Sequence, residues 1–316
     1  MNKTKTAKAF APAGISSFFE ICDTTTNGKP ITDPEQIGAR GGGFGLQKGI
    51  LTHVTLEQTK TQNISIFIND KPAPEAETTK NVVSAILNKT QHQYNVTVNH
   101  QVDVPIGMGF GTSAGGALTT AMALADALNL PLTYNQIGRI AHVAEVQCKT
   151  GLGTVGPLMI GGCILTLEPG APGISVIDRL PVSPDYVIVA AVLEPTLTKQ
   201  VLTSHEKISK INLYGKKTLD SILDDPTLEN FLTCSYDFAE KTGFTTPTIK
   251  TLVTLAKKAG ALGSAQNMIG QAVHSLVLLE NANQVADAFK QVLPQEKVIT
   301  SKIDFQGARL IGHEKM

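Results

Sequence analysis

Apolar and polar residues alternate along much of the first hundred residues, and a period of two is typical of half-buried β-strands. The alternation is clearest at residues 64–68, which read Ile-Ser-Ile-Phe-Ile, and it recurs at residues 50–57 and 94–104. Shorter segments at residues 9–13 and 17–21 also have the composition and length of strands. The pattern therefore predicts a β-rich beginning to the chain.

Helical periodicity appears between and after these strands. Residues 78–88 are amphipathic, whereas residues 114–128 carry small and apolar side chains nearly all round, as a buried helix does. A third helix is predicted over residues 134–148, with Thr133 as its N-cap after Pro131. Further along, the same criteria predict strands at 163–167 and 186–193 and helices at about 219–242, 248–259 and 285–291.

Three glycine-rich segments interrupt these elements, at residues 38–45, 107–116 and 151–162, and we interpret the last as a loop. Pro169 and Pro172 mark a turn or linker, and the composition becomes more helical beyond it. The sequence thus predicts an α+β protein with an N-terminal domain of residues 1–175 and a C-terminal domain of residues 176–316.

The segment that carries most chemical information runs from Pro105 to Ala117 and reads Pro-Ile-Gly-Met-Gly-Phe-Gly-Thr-Ser-Ala-Gly-Gly-Ala. Glycines allow positive φ angles and leave no Cβ between the main chain and a ligand. The helix that follows directs its free N–H groups and the positive end of its dipole at the same place. This combination favours a polyphosphate, and therefore a nucleotide.

Two widespread nucleotide motifs fit this segment poorly. A Walker A loop requires a Lys after its second glycine, and no Lys occurs here. A dinucleotide fingerprint can be placed on Gly109, Gly111 and Gly115 only with irregular spacing, and Asp126, its acidic residue, would lie within a helix. An oxidoreductase that binds NAD is accordingly disfavoured.

Composition excludes several other classes of function. The 316 residues carry 27 basic and 27 acidic side chains, so a net charge of zero gives no electrostatic case for nucleic acid or an anionic membrane as partner. No apolar stretch reaches the roughly 18 residues of a membrane span, and no signal peptide is evident. Cys22, Cys148, Cys163 and Cys234 lack the spacing of metal ligands or of a disulfide framework. We expect a cytoplasmic protein with reduced cysteines.

Two oxygen ligands for a magnesium ion can be identified beside the predicted phosphate loop. Mg²⁺ prefers hydroxyl, carboxylate, phosphate and water oxygens, and phosphoryl transfer depends on a metal across the phosphates. Ser113 stands at the start of the helix, and Glu145 lies on an otherwise apolar part of a second helix. A solvated helix carboxylate is the alternative interpretation of Glu145.

The order Pro-x-Gly-x-Gly-x-Gly-Thr-Ser-Ala resembles the second motif of the GHMP small-molecule kinases, with Phe110 in place of Leu and Thr112 in place of Ser. Within that superfamily, further segments resemble the archaeal pantoate kinases. They are Phe10-Ala11-Pro12, Phe18-Phe19, Ala39-Arg40-Gly41-Gly42-Gly43, Ala141-His142-Val143-Ala144-Glu145-Val146, Thr150-Gly151-Leu152-Gly153, Gly161-Gly162 and Gly307-Ala308-Arg309.

This resemblance implies a two-domain GHMP-kinase fold, with a ribosomal protein S5-like N-terminal domain and a ferredoxin-like C-terminal domain. It implies ATP and Mg²⁺ as cofactors and phosphorylation of the 4-hydroxyl of pantoate on the way to coenzyme A. We also expect a homodimer, and neither nucleic acid nor membrane as partner.

The resemblance, together with the chemistry of the substrate that it implies, assigns roles to individual residues. Ser113 and Glu145 would bind the metal, and Arg40 would anchor the acceptor carboxylate with its planar guanidinium. A loop arginine without function, and a structural helix histidine at His142, are the alternatives. The predicted nucleotide ligands are Pro105, Gly107, Gly109, Gly111, Thr112, Ser113, Ala114 and Gly115, and the predicted acceptor ligands are Ser16, Ser17, Arg40, Gly41, His142 and Thr154.

The chain departs from the kinase pattern at the general base. Many GHMP kinases carry an Asp after the glycines of the third loop, whereas Gly153 is followed by Thr154, and Pro12 is not followed by Lys. Three alternatives stay open on this account: a kinase without a general base, a kinase of another hydroxy acid such as homoserine or mevalonate, and an inactive nucleotide-binding regulator. Residues 260–270 resemble the last superfamily motif weakly, with Ser264 facing phosphate or substrate, or form an ordinary helix-start turn.

Overall fold

The computed structural model describes residues 4–193 and 205–312 of the chain. Its larger sheet has the strand order β12-β1-β2-β5-β3-β4, while β6 pairs with β2 and β7 pairs with β6. All neighbours are antiparallel except β3 and β5, which are parallel. These strands are β1 (Lys5–Cys22), β2 (Gly38–Thr59), β3 (Asn63–Ile68), β4 (Lys71–Pro72), β5 (Gln93–Val102), β6 (Cys163–Glu168), β7 (Val176–Leu180) and β12 (Arg309–Ile311).

The first glycine-rich segment, residues 38–45, forms the beginning of β2 and pairs with β1 across a bulge between Ser16 and Phe18. A Cβ on Gly43 would lie 1.7 Å from the Ile15 carbonyl oxygen, and one on Gly41 would lie 2.4 Å from that of Phe18. The glycines therefore allow the two main chains to approach closely. Strand β2 begins at Gly38, twelve residues before the predicted start at residue 50. The prediction missed these residues because their cross-strand packing is not visible in the local sequence.

Helices α1 (Glu77–Leu87), α2 (Thr112–Ala127) and α3 (Tyr134–Cys148) cover one face of the larger sheet. All three were predicted to within two residues, and Thr133 caps α3 in a reciprocal capping box with Gln136. The third glycine-rich segment was predicted as a loop, which is wrong for part of its length. It contains the short helix α4 (Val155–Ile160), whose interior residues pack into the core between α3 and β1.

The second sheet has the order β11-β8-β10-β9, which is the 4-1-3-2 order of a ferredoxin-like domain. The predicted helix 219–242 is in fact two helices, because Pro226 cannot continue the first and Thr227 caps the second. The strands are β8 (Tyr186–Val192), β9 (Gly263–Gln266), β10 (Ala272–Leu278) and β11 (Val298–Lys302), and the helices are α5 (His205–Asp224), α6 (Leu228–Thr242), α7 (Pro247–Lys258) and α8 (Ala282–Lys290).

Aromatic side chains join the larger sheet to helix α6. Phe18 of β1 and Phe44 of β2 pack edge-on against Phe231 of α6, and Phe18 also meets Phe238. The strands β7 and β12 follow residue 175 but belong to the larger sheet, and the proposed division of the chain at that residue stays a prediction.

The four cysteines are free thiols, and none of the described helices combines the length and apolar character needed to span a bilayer.

Candidate active site

A cavity of about 420 Å³ lies between the two sheets. Its walls come chiefly from residues 14–19 of β1, residues 39–44 of β2, the glycine loop 107–114, the segment 145–154 and the pair Met268 and Ile269. The glycine loop and the end of α3 thus meet at one concave surface.

The glycine loop turns directly into the N-terminus of α2. Gly107 and Gly109 both have φ of +78°, and Gly111 is the N-cap in the left-handed conformation, with φ of +61°. No side chain caps this helix end. The N–H groups of Thr112, Ser113 and Ala114 therefore begin a helix at the cavity wall, an arrangement suited to an anionic group.

Ser113 and Glu145 are in direct contact at the base of this wall. The Ser113 hydroxyl donates to Oε1 of Glu145 at 2.5 Å, and the Thr150 hydroxyl donates to the same oxygen at 2.7 Å. Thr150 in turn lies 3.0 Å from the hydroxyl of Thr78 on α1. Two helix ends and one loop therefore fix the carboxylate in position.

Glu145 is only 3% exposed, although it lines the cavity. Burial raises the pKa of its carboxyl, and the hydrogen bonds from Ser113 and Thr150 partly offset that rise. The second oxygen, Oε2, lies over Gly151, where an added Cβ would be 2.2 Å away. A cation at Oε2 would stabilise the ionised form of this buried carboxylate.

Arg40 lies opposite Glu20 in the β1–β2 ladder and forms an ion pair with it. Its Nε and Nη2 both contact Oε2 of Glu20, at 2.9 Å and 2.6 Å. This side-on pairing leaves Nη1 outside the ion pair, and Arg40 lines the cavity. It is therefore a strand residue held by a carboxylate, and not a loop arginine without a partner.

Eleven of the fifteen residues predicted for the site line the cavity, and they come from four of these wall segments. They are Ser16, Arg40, Gly41, Gly107, Gly109, Gly111, Thr112, Ser113, Ala114, Glu145 and Thr154. Glu145 is the sole carboxylate in this lining among the described residues, so the structure adds no general base where the sequence lacked one.

The remaining predicted residues lie elsewhere. Pro105 is outside the cavity lining, and Gly115 serves packing, since a Cβ there would lie 2.5 Å from Ile50. Ser17 is fully buried and its hydroxyl contacts Nε2 of His274 at 2.9 Å, so the structure contradicts its assignment as an acceptor ligand.

His142 is also placed away from the cavity. It is 1% exposed, and its Nε2–H donates to the Ile37 carbonyl oxygen at 2.9 Å. Burial lowers its pKa, so the ring is a neutral structural group. The predicted bond from His142 to an acceptor hydroxyl conflicts with this position.

Sequence reasoning missed several contributors. Lys149 ends α3 in the left-handed conformation and lines the cavity next to Thr150, which binds Glu145. Met268 and Ile269 line it from the connection between β9 and β10, within the weak last motif. That motif forms β9 and a turn and not a helix start, and Ser264 is buried against Ser275, so its predicted role at phosphate or substrate is wrong. For Thr150 the sequence did offer a signal, because this residue directly follows the predicted helix that carries Glu145.

The chain is similar to known kinases over most of its length. Residues 77–162 match the family described as GHMP kinases N terminal domain. The chain is 32% identical to the pantoate kinase of Methanocaldococcus jannaschii, over 89% of this chain and 96% of that one. It is 33% identical to the pantoate kinase of Thermococcus kodakarensis, over 88% and 89% of the two chains.

The same relationship appears in three dimensions. A solved structure titled "Phosphotransferase related to CoA biosynthesis pathway" superimposes with a TM-score of 0.84 and 30% sequence identity. The match covers 98% of this chain and 100% of that one. Similarity therefore extends through both sheets and is not confined to the glycine loop.

Proposed function

This chain belongs to the pantoate kinase family of the GHMP kinases, and from that premise we propose that it transfers the terminal phosphoryl group of ATP to the 4-hydroxyl of pantoate. The product would serve coenzyme A formation. The observation that carries the proposal is the Ser113–Glu145 pair at the N-terminus of α2, inside a cavity that also contains an arginine.

The glycine loop and the first turn of α2 hold the phosphates of ATP in this proposal. Main-chain N–H groups and a helix dipole stabilise negative charge without any covalent participation by the protein. Ser113 and Glu145 fit Mg²⁺, because they offer a hydroxyl and a buried carboxylate with an open oxygen, and nucleotide phosphates complete such a ligand set. The ion neutralises charge on the transferred group when bound.

The acceptor lies on the β1–β2 side of the cavity. Arg40 pairs with its carboxylate through the nitrogen that Glu20 leaves free, and Ser16 and the Gly41 main chain are nearby donors. Pantoate also carries two methyl groups on one carbon. The apolar lining, which includes Phe19, Ile164 and Ile269, suits these methyl groups better than it suits a charged ammonium.

The acceptor proton leaves late in this mechanism, because the cavity offers no carboxylate besides the proposed metal ligand among the described residues. It is taken by the transferred phosphoryl oxygens or by water. General-base assistance contributes about 10²–10⁴-fold in enzymes that have it. Positioning and charge neutralisation supply the greater part of the acceleration in phosphoryl transfer, so a kinase of this design remains catalytic.

Thr154 at the position where many GHMP kinases carry Asp also favours a second candidate, a regulator that binds nucleotide without turnover. A coupled ADP-release assay with Mg²⁺-ATP separates the two. We expect turnover with pantoate and none above the acceptor-free rate with homoserine, mevalonate or shikimate.

The outcomes of this assay lead to different conclusions. Turnover with another acceptor alone would replace pantoate while keeping the kinase. An absence of turnover with every acceptor, together with ATP binding in equilibrium dialysis, would establish the regulator instead. Arg40→Gln is the matched control, since it should abolish the response to pantoate without abolishing ATP binding. The homodimer and the cytoplasmic location stay predictions.

A further inference from the structure

A buried chain of three polar side chains crosses the boundary between the two sheets. His274 of β10 is completely buried, and both of its ring nitrogens are bonded. Its Nδ1 lies 2.9 Å from Oδ1 of Asn267, and its Nε2 lies 2.9 Å from the hydroxyl of Ser17 on β1. Because a carbonyl oxygen only accepts, Nδ1 carries the proton and Nε2 accepts from Ser17.

Each end of this chain adjoins residues that line the cavity. Ser17 stands between Ser16 and Phe18, and Asn267 immediately precedes Met268, which with Ser16 and Phe18 lines the cavity. The Met268 N–H also donates to the Ser16 carbonyl oxygen at 2.7 Å. The network therefore joins the acceptor side of the cavity, on β1, to a loop that belongs to the second sheet.

The same loop supports the glycine loop from behind. A Cβ on Gly109 would lie 3.1 Å from Cβ of Asn267 and 3.5 Å from the Gly270 nitrogen. A Cβ on Gly270 would lie 2.5 Å from the Met108 carbonyl oxygen. Residues 267–270 thus touch the phosphate side of the cavity directly, while His274 fixes Asn267 relative to β1.

Packing alone does not require a histidine here. The ring lies among apolar neighbours such as Phe44, whose ring centroid is 5.8 Å from that of His274. A buried polar group costs stability unless it is bonded, and it restricts its partners to one geometry when it is. Burial lowers the pKa of His274 to about 3, so the ring stays neutral and keeps its donor and acceptor arrangement at ordinary pH.

We propose that His274 is a positioning residue for phosphoryl transfer, which through Ser17 and Asn267 holds the acceptor wall in register with the glycine loop. This inference rests on the proposed kinase function. Transfer requires the attacking oxygen and the phosphorus to be aligned closely, and a displacement of about 1 Å can cost about 100-fold in rate. His274 itself is not one of the described residues that line the cavity.

The test compares His274→Phe, which keeps a planar ring, with His274→Gln, which keeps one acceptor and one donor. His100→Phe is the matched control, because His100 is also buried and bonds Thr52 and Thr79 outside the cavity. We expect kcat with pantoate to fall by about 10–100-fold in His274→Phe. The fall should be largely rescued in His274→Gln and absent in His100→Phe, although both Phe variants lose stability.

Hydrogen exchange at the amides of residues 107–111 gives a readout that does not depend on the acceptor. We expect faster exchange there in His274→Phe than in His100→Phe. If the wild-type protein does not phosphorylate pantoate, the proposed function fails. The difference in exchange rate between His274→Phe and His100→Phe still decides whether His274 positions the glycine loop. Equal exchange and equal kcat loss in the two Phe variants would overturn this positioning role. Should His274→Phe not fold, Ser17→Ala removes one bond of the network and is read by the same two measurements.

Discussion

The Ser113 hydroxyl donates to Oε1 of Glu145 at 2.5 Å and so joins the first turn of α2 to the last turn of α3. The two groups that we propose as metal ligands therefore face each other before any ion is bound. Each helix brings its own part of the site, since α2 carries the phosphate-facing N–H groups and α3 carries the carboxylate. A change in either side chain should affect catalysis far more than folding.

We expect Ser113→Ala and Glu145→Gln each to lower kcat by about 100-fold or more, as loss of a group that stabilises transition-state charge does. Glu145→Gln should also raise the free energy of unfolding of the metal-free protein at neutral pH. Burial raises the folded-state pKa of Glu145 above its unfolded value, so the ionised carboxylate costs stability as pH rises through that pKa. ADP release and urea unfolding measure the two effects, with Glu57→Gln as an exposed control.

Unchanged turnover in both variants would contradict the metal assignment. A Glu145→Gln protein that loses activity and stability together would instead indicate a structural carboxylate, because the lower activity would then follow from a disturbed fold. The combination of lower kcat and higher stability is the signature of a functional group held at a cost to the fold.

Gly151→Ala tests the geometry of the carboxylate without altering its chemistry. The added Cβ would lie 2.2 Å from Oε2 of Glu145, so the carboxylate must move. The main chain of Gly151 is not in the left-handed region, and the expected fall in kcat, about tenfold or more, is therefore steric in origin. Gly312→Ala is the control, because its Cβ meets nothing within 4 Å. Activity equal to that of the control would mean that Oε2 has no part in binding the ion.

Arg40→Lys tests the acceptor side. Lysine keeps the charge but cannot hold Glu20 and a substrate carboxylate through separate edges of one planar group. We expect the KM for pantoate to rise by about 10–100-fold, the value of a lost charge-assisted bond, with the KM for ATP unchanged. Arg139→Lys is the control, since Arg139 pairs with Glu35 outside the cavity. A parallel rise in both KM values would place Arg40 on the nucleotide instead.

Local patterns in the sequence were sufficient for the elements whose causes are local. The continuous run of small and apolar residues in α2 and the Thr133 cap of α3 predicted these helices closely. The glycines of β2 were not recognised as strand, because their role is a close approach to β1 that only pairing reveals. The same holds for α4, which packs into a core built from distant segments.

The candidate site was predictable where a motif fixed it and not where side-chain direction decided. The bulge between Ser16 and Phe18 makes Ser17 the extra residue of β1, so regular strand alternation does not apply here. Ser16 lines the cavity and Ser17 is buried against His274, and the local sequence does not show where such a bulge falls. His142 lies three residues before Glu145 on α3, yet it bonds the carbonyl of Ile37, whose position depends on a loop that no periodicity predicts.

The two buried histidines should make stability depend on pH. Burial lowers the pKa of His100 to about 4 and that of His274 to about 3, from 6.5. Below pH 6.5 the unfolded chain binds protons that the folded protein excludes, so the free energy of unfolding falls as pH falls, by up to about 1.4 kcal/mol per pH unit for each histidine. Urea unfolding between about pH 5 and pH 7 measures this slope. His100→Phe should remove one histidine's share, and an unaltered slope in that variant would contradict burial as the cause.

Thr154→Asp tests whether the missing base limits the reaction. Thr154 lines the cavity beside Gly111, and its Cγ2 would lie 3.0 Å from a Cβ there. Asp is close to Thr in size and is favoured at the start of a helix such as α4. A carboxylate here would accept the hydroxyl proton earlier in the reaction, and we expect kcat with pantoate to rise by about tenfold, within the range of general-base assistance.

Thr154→Asn is the matched control, because it has the shape of Asp without the basic oxygen. A gain in kcat that is confined to Asp would show that the natural enzyme works without a base at this position. Equal rates in the Asp and Asn variants would mean that proton removal is not limiting. The late transfer of the proton to phosphate or water would then already be as fast as the remaining steps, and the Thr at residue 154 would carry no kinetic penalty.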